Sequence, residues 1–163
     1  LDVPLSFQTD TAYQASTHTF ETLKQQLTVK GHKPALFQLL LQQSLSSEFA
    51  WVVRDNQVAR AIDLITELKQ PYDLAIAWLI RGRLSLINNP TKARIYLSQA
   101  QSIGTDLNAL LLLEQIALYR ILLDISDAKL AGDKAKMALL IKQIEMKKHL
   151  SQDQYKLIGQ IQG

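Results

Sequence analysis

A chain of 163 residues with 47% apolar and 20% charged residues, six Gly and four Pro has the composition of a globular protein and excludes a disordered one. At about this size a single domain buries roughly 70% of its unfolded surface, so one domain with a substantial core is expected. The formal net charge is +3 and cysteine is absent, which excludes disulfides, thiolate nucleophiles and Cys-ligated zinc without fixing the compartment.

Leu and Ala dominate the apolar set, and the long segments lack strand-like alternation, so the chain reads as all-α. No apolar run approaches the roughly 20 residues that span a bilayer, which predicts no transmembrane segment. Residues 1–16 lack the basic start and apolar run of a secretory signal and read as irregular. Leu1 is not an initiator Met, and the pattern Tyr155, Leu157, Ile158, Ile161 stops abruptly at Gly163, so the chain is expected to be a piece of a longer protein.

Phe20, Leu23 and Leu27 mark one face of a first helix, and Gly31 followed by Pro34 supplies a stop and a new start. From Pro34 the positions Leu36, Phe37, Leu40, Leu41, Leu45, Phe49 and Val52 keep the helical period, predicting a long second helix that ends at Arg54-Asp55-Asn56. Ala61, Ile62, Ile65 and Leu68 form a third, ending near Gln70 because Pro71 turns its predecessor away from the α region. A fourth begins by Tyr72 or Asp73, carries Leu74, Ala77, Trp78, Leu84 and Ile87, and stops at Asn88.

Asn89 can cap the fifth helix, with Pro90 in its first position. Ala93, Tyr96, Leu97 and Ala100 make its inner face, and Gly104 is expected to close it. The sixth runs from about Asp106 to Ala131, with Leu110, Leu113, Ala117, Ile121, Ile125 and Ala128 on one side. Gly132-Asp133 turns the chain, Met137, Leu140, Ile141 and Ile144 define a seventh, and a Ser151-x-x-Gln154 capping box opens a last short one. Connections of two to four residues force sequential helices to lie antiparallel, so the expectation is one domain over 1–163 built from seven or eight helices paired as hairpins.

A shift of 32 residues lays Asn56 on Asn88, Ala61 on Ala93, Ile65 on Leu97 and Leu68 on Ala100, so that turn and inner face coincide. The same shift places Trp78 on Leu110, and Gly132, Met137 and Ile141 continue the series loosely. Within one such unit, Trp78, Gly82, Ala93, Leu97 and Ala100 form a pattern of an aromatic, a Gly four residues on, then small, bulky and small residues on the following helix. That pattern resembles a tetratricopeptide repeat, over about residues 47 to 145. The resemblance implies antiparallel hairpins stacked as a right-handed solenoid whose groove receives a peptide or a partner helix. Arg81 and Ser85 depart from it, standing where the family has Leu and an aromatic; the turn is about one residue short, and Gly104-Thr105 replaces the terminal Pro.

The search for chemistry returns negatives. His18, His32 and His149 lie far apart, each beside a helix end or loop, and no two of them stand at metal-ligand spacing. There is no Gly-rich phosphate loop, no nucleophile elbow and no acidic loop of EF-hand type, and the Asp124/Asp127 pair on one helical face is weak by itself. No metal, no cofactor and no catalysis by this chain are expected. Trp51 and Trp78 lie within apolar faces, where core packing is a commoner role than a partner anchor.

Charge is unevenly placed: Lys129, Lys134, Lys136, Lys142, Lys147, Lys148 and Lys156 face only Asp133, Glu145 and Asp153. That basic end suits a phosphate backbone or an anionic surface, but it lacks interleaved arginines and aromatics, and a solvated helix face is the commoner meaning. Arg54, Arg81 and Arg83 are the candidate binding residues, since their family counterparts line the concave side of the solenoid. Arginine there could pair with a carboxylate of an incoming peptide, or within the chain with Asp55, Asp63 or Glu67.

The function these features point to is a protein- or peptide-binding scaffold or sensory module, in an exported or membrane-tethered bacterial protein. A regulatory or dimerisation domain of a larger enzyme or transcription regulator, whose task is forming a homodimer or controlling a neighbour, is the second reading, and nucleic-acid binding through the basic end a distant third. Glutamine-rich helix surfaces and the lack of cysteine suit the periplasm, and the cytosol equally.

Overall fold

The computed structural model describes residues 18–147, so residues 1–16, His149 and the Ser151 capping box lie outside the described residues. Every regular element in that range is an α-helix: α1 (18–29), α2 (Lys33–Leu45), α3 (Trp51–Glu67), α4 (Pro71–Ser85), α5 (Pro90–Asp106), α6 (Leu110–Leu130) and α7 (Lys134–Met146). The all-α expectation therefore holds, with seven helices among the described residues. They form two compact units, dividing after Ile103 in the last part of α5.

Most helix ends are written locally. Gly31 at φ +69° ends α1: its N–H reaches Thr28 O at 3.2 Å, and the next N–H, of His32, reaches Leu27 O at 3.0 Å. These are the paired bonds that satisfy a helix's last carbonyls when the following residue turns left-handed. Gly132 at φ +70° ends α6 in the same way, through Lys129 O and Ala128 O. Pro71 stands in the first turn of α4, where a missing N–H costs nothing. Asn89 Oδ1 accepts the Lys92 N–H at 3.1 Å, and Asp133 Oδ1 accepts that of Lys136 at 3.0 Å, so both residues cap the helix that follows.

Two boundaries differ from the sequence expectation, each for a tertiary reason. The second helix stops at Leu45, and α3 begins at Trp51 and runs straight through Arg54-Asp55-Asn56. Those polar residues do not break the helix because Arg54 and Asp55 find partners on α2 and α4; the turn is Ser46-Ser47-Glu48 instead. Phe49 folds back from it into the core, 5.4 Å from the Phe20 ring in an edge-to-face pair. The fifth helix likewise passes through Gly104 to Asp106. A Cβ at Gly104 would come within 3.2 Å of Leu113 and 3.3 Å of Leu112, so this glycine serves close approach, while Asn108 at φ +52° takes the left-handed position.

These shifts alter the repeat register. Asn88 lies in a turn but Asn56 lies inside α3, so the turns do not superpose under the 32-residue shift, although Ala61, Ile65, Ala93 and Leu97 are all buried.

In the first unit, Phe37, Leu40 and Leu41 of α2 pack with Val58, Ala61, Ile62 and Ile65 of α3 and Ala77 of α4, and Trp78 and Leu84 close over them. In the second, α6 and α7 form a hairpin, α6 contributing buried Leu112, Ile116, Tyr119 and Leu123 and α7 contributing Leu140 and Ile144. Gly82 sets the distance between α4 and α5, because a Cβ there would sit 2.8 Å from Leu97 Cγ, and Leu97 is fully buried. Alanine would gain about 1 kcal/mol of helix propensity but overpack at a cost of about 1–3 kcal/mol. Gly82→Ala is therefore expected to lower unfolding free energy by about 1 kcal/mol and Gly82→Val by clearly more, read from urea denaturation midpoints at unchanged m-value.

Candidate functional site

Of the three arginines singled out from sequence, Arg81 is the most constrained. Its Nε–H donates to Asp55 Oδ1 at 2.9 Å and its Nη2 to Asp55 Oδ2 at 3.2 Å, a two-pronged pair between α4 and α3. Both side chains are about one-fifth exposed, at 19% and 18%. The guanidinium also lies 4.3 Å over the Tyr96 ring, which stacks in turn on Trp78 at 5.7 Å between centroids. Burial by itself would lower the Arg81 pKa, but the hydrogen bond and charge of Asp55 outweigh it, and the net shift is upward. Of the intramolecular partners considered from sequence, Arg81 pairs with Asp55; Glu67 pairs instead with Lys33, at the surface.

Arg54 and Arg83 lie elsewhere. Arg54 Nε–H donates to Ser44 O at 2.7 Å and Nη2 lies 3.5 Å from Leu45 O, so its guanidinium covers the last carbonyls of α2, where a helix end favours positive charge. Burial lowers the Arg54 pKa, and the charge of nearby Arg83 lowers it further. Arg83, half-buried in the last turn of α4, has no hydrogen-bond or ion-pair partner among the described residues. Arg54 is thus anchored to backbone oxygens and feels the charge of Arg83, which has no partner of its own among the described residues.

The end of α2, the first turns of α3 and the end of α4 carry buried polar atoms with no hydrogen-bond partner among the described residues. Gln43 Oε1 comes from the last turns of α2, Trp51 Nε1 and Gln57 Oε1 from the start of α3, and Ser85 Oγ from the end of α4. Ser85 is 0% exposed, so no aromatic ring fits where the tetratricopeptide pattern has one. This polar end was not legible in the sequence, because amide and hydroxyl side chains at helix ends are ordinarily solvated.

Also missed was a groove on another side of α3. One cavity of about 300 Å³ is lined by Glu21, Lys24, Thr28 and Arg60, and a second of about 250 Å³ by Leu36, Leu40, Arg60, Asp63, Leu64 and Glu67. They share Arg60. Lys24, only 4% exposed, is a buried ammonium paired with Glu21. The signal available was one of spacing: Arg60, Asp63, Leu64 and Glu67 follow i, i+3, i+4, i+7 on one face.

His18 and His32 are exposed, and Trp78 packs against the core. Among the described residues no group of three or more His, Cys, Asp or Glu is placed to hold a metal ion, and no helix is long and apolar enough to cross a membrane. No family model, curated protein or solved structure matches the chain.

Two measurements follow from this geometry. Removing either partner of the Arg81–Asp55 pair strands the other charge, so Arg81→Met and Asp55→Leu are each expected to cost about 2–4 kcal/mol. The double variant should cost less than the sum by about 1–3 kcal/mol, a coupling that urea denaturation of the four proteins measures directly. Ser85→Ala removes a buried hydroxyl that bonds nothing among the described residues, and is expected to leave stability unchanged or raise it by about 1 kcal/mol; a loss above that size would mean that the hydroxyl is in use.

Proposed function

We propose that the chain is a protein- or peptide-binding module of tetratricopeptide type, in which the α2–α3 and α4–α5 hairpins nest with their small residues interlocked and which has no catalytic activity of its own. The observation that carries this reading is Arg83, half-buried in the last turn of α4 with no hydrogen-bond or ion-pair partner among the described residues, whose charge is felt at Arg54. Two like charges held near each other are mutually unfavourable, and a carboxylate placed between them turns that repulsion into attraction. Arg83 is the direct contact, in the flat two-pronged manner that suits a carboxylate. Arg54, fixed on the α2 carbonyls, supports it electrostatically, and Arg81 positions α4 through Asp55 rather than meeting ligand.

The Gly82–Leu97 approach and the run of small residues Ala61, Ala77, Ala93 and Ala100 at 0% exposure support close nesting of hairpins. Arg54 and Arg81 are already held by the fold, so the ordering that binding requires falls on the Arg83 side chain.

The test is a fluorescence-polarisation screen of labelled peptides that differ only in acidic side chains and in a free or amidated C-terminus. Carboxylate-bearing peptides should bind, Arg83→Ala should weaken them by about tenfold or more, equivalent to about 1.4 kcal/mol, and Arg60→Ala should not. Binding indifferent to both carboxylate and Arg83 would refute the arginine assignment. Sedimentation at two concentrations tests the dimerisation alternative, which requires self-association that rises with concentration.

A further inference from the structure

The lysine-rich end takes on a different character once its apolar residues are located. A solvated lysine face would show Lys and Gln outward and every large apolar side chain inward. Helix α7 does not: Leu140 and Ile144 are buried against α6, but Leu139 is 59% exposed and Met146 76% exposed. Ala135, Leu139, Lys142 and Met146 are spaced i, i+4, i+7, i+11, so they form one continuous stripe, and all four are exposed. Lys134 and Lys136 flank that stripe, and at the α6–α7 turn Leu130 protrudes at 85% exposure between Lys129 and Lys134. The carboxylates within 129–147 are Asp133, engaged in capping α7, and Glu145.

We infer that the outer face of α7, with Leu130 at its tip, docks on an anionic lipid surface. A helix lying in the headgroup region sinks its large apolar side chains toward the acyl boundary, while lysines beside them extend their ammonium groups back to lipid phosphates. Leu139, Met146 and Leu130 provide the first element, and Lys129, Lys134, Lys136 and Lys142 the second. Charge selects the occupant: exposed Leu and Met alone would suit any apolar partner, but ringed by lysines of one sign they suit a surface that is apolar beneath and negative above. A nucleic acid would use the lysines, yet leave Leu139 and Met146 exposed to water and lack the stacking and guanidinium contacts it usually recruits. This inference stands apart from the peptide site, sharing no residue with it.

The full chain is to be sedimented with vesicles of phosphatidylcholine alone and with about a third phosphatidylserine, over a salt series. Expected is association with the anionic vesicles at least tenfold stronger than with the neutral ones, weakening as salt rises. Leu139→Gln with Met146→Gln, and separately Lys136→Gln with Lys142→Gln, should each weaken it about tenfold, with circular dichroism unchanged because all four side chains point away from the hairpin core. Equal affinity for both vesicle types, or indifference to the Leu139/Met146 pair, overturns the inference; the latter is the result if another part of the chain covers the face. Binding to oligonucleotides that depends on the lysines and not on Leu139 and Met146, with vesicles ignored, assigns the face to nucleic acid and overturns it too. A concentration-dependent dimer abolished by the Leu139/Met146 substitutions, again with vesicles ignored, assigns it to a second copy of the chain.

Discussion

The central turns of α4 hold its two neighbours. Gly82 gives α5 room to come close enough for Leu97 to be fully buried. The residue before it, Arg81, reaches Asp55 on α3 in one direction and lies over Tyr96 of α5 in another. A larger side chain at 82 would push α5 away and carry Tyr96 with it, and without the Tyr96 ring and Asp55 the Arg81 guanidinium would be a partly buried charge with no compensation. A guanidinium is suited to this place because it offers a flat face to a ring and a forked edge to a carboxylate at once, which an ammonium cannot do.

That clasp fixes more than stability. By tying α3 to α4 it fixes the helices that carry Arg54 and Arg83, and the charge of Arg83 lowers the Arg54 pKa beyond what burial does. Arg54 is further tied to the C-terminal carbonyls of α2, whose partial negative charge offsets its own. The positive potential at this end therefore belongs to the fold, and the buried amide and hydroxyl groups around it make the same region the most polar part of the helix packing in the first unit. An anion approaching such a place meets a positive charge fixed at Arg54 and has only the Arg83 donors to order.

The all-helical architecture was legible because its signals are local. Glycine after a helix, proline in a first turn, and Asn89 and Asp133 as caps act within four residues, and each stands where the pattern placed it. What could not be read depends on residues distant in sequence. Arg54-Asp55-Asn56 has the composition of a turn and became helix because its charges meet α2 and α4; Gly104 has the look of a stop and became an interior residue because Leu112 and Leu113 press on it. The candidate site shows the same division. Residue type picked out Arg54, Arg81 and Arg83, but which was committed to Asp55, which to carbonyls and which had no partner among the described residues was decided by tertiary neighbours. The Arg60 groove went unseen because its two walls come from different helices.

Helix α7 extends that lesson from charge to apolar periodicity. A helical apolar pattern shows that some face meets a nonaqueous environment, but a helix can carry two such faces, and the sequence does not say which one the protein itself covers. Met137, Leu140, Ile141 and Ile144 are the expected inner set, and Leu140 and Ile144 are indeed buried, whereas Ile141 remains 41% exposed. Leu139 and Met146 belong to no inner set under any choice of register, since they lie on the far side of the helix from Leu140 and Ile144. Large apolar side chains kept outward cost solubility and add nothing to the hairpin's own core, and the lysines between and beside them offset the first cost without curing the second. The two features together are accounted for by an environment that takes both at once, apolar side chains below and ammonium groups above, which is the physical case for a charged lipid interface over water alone.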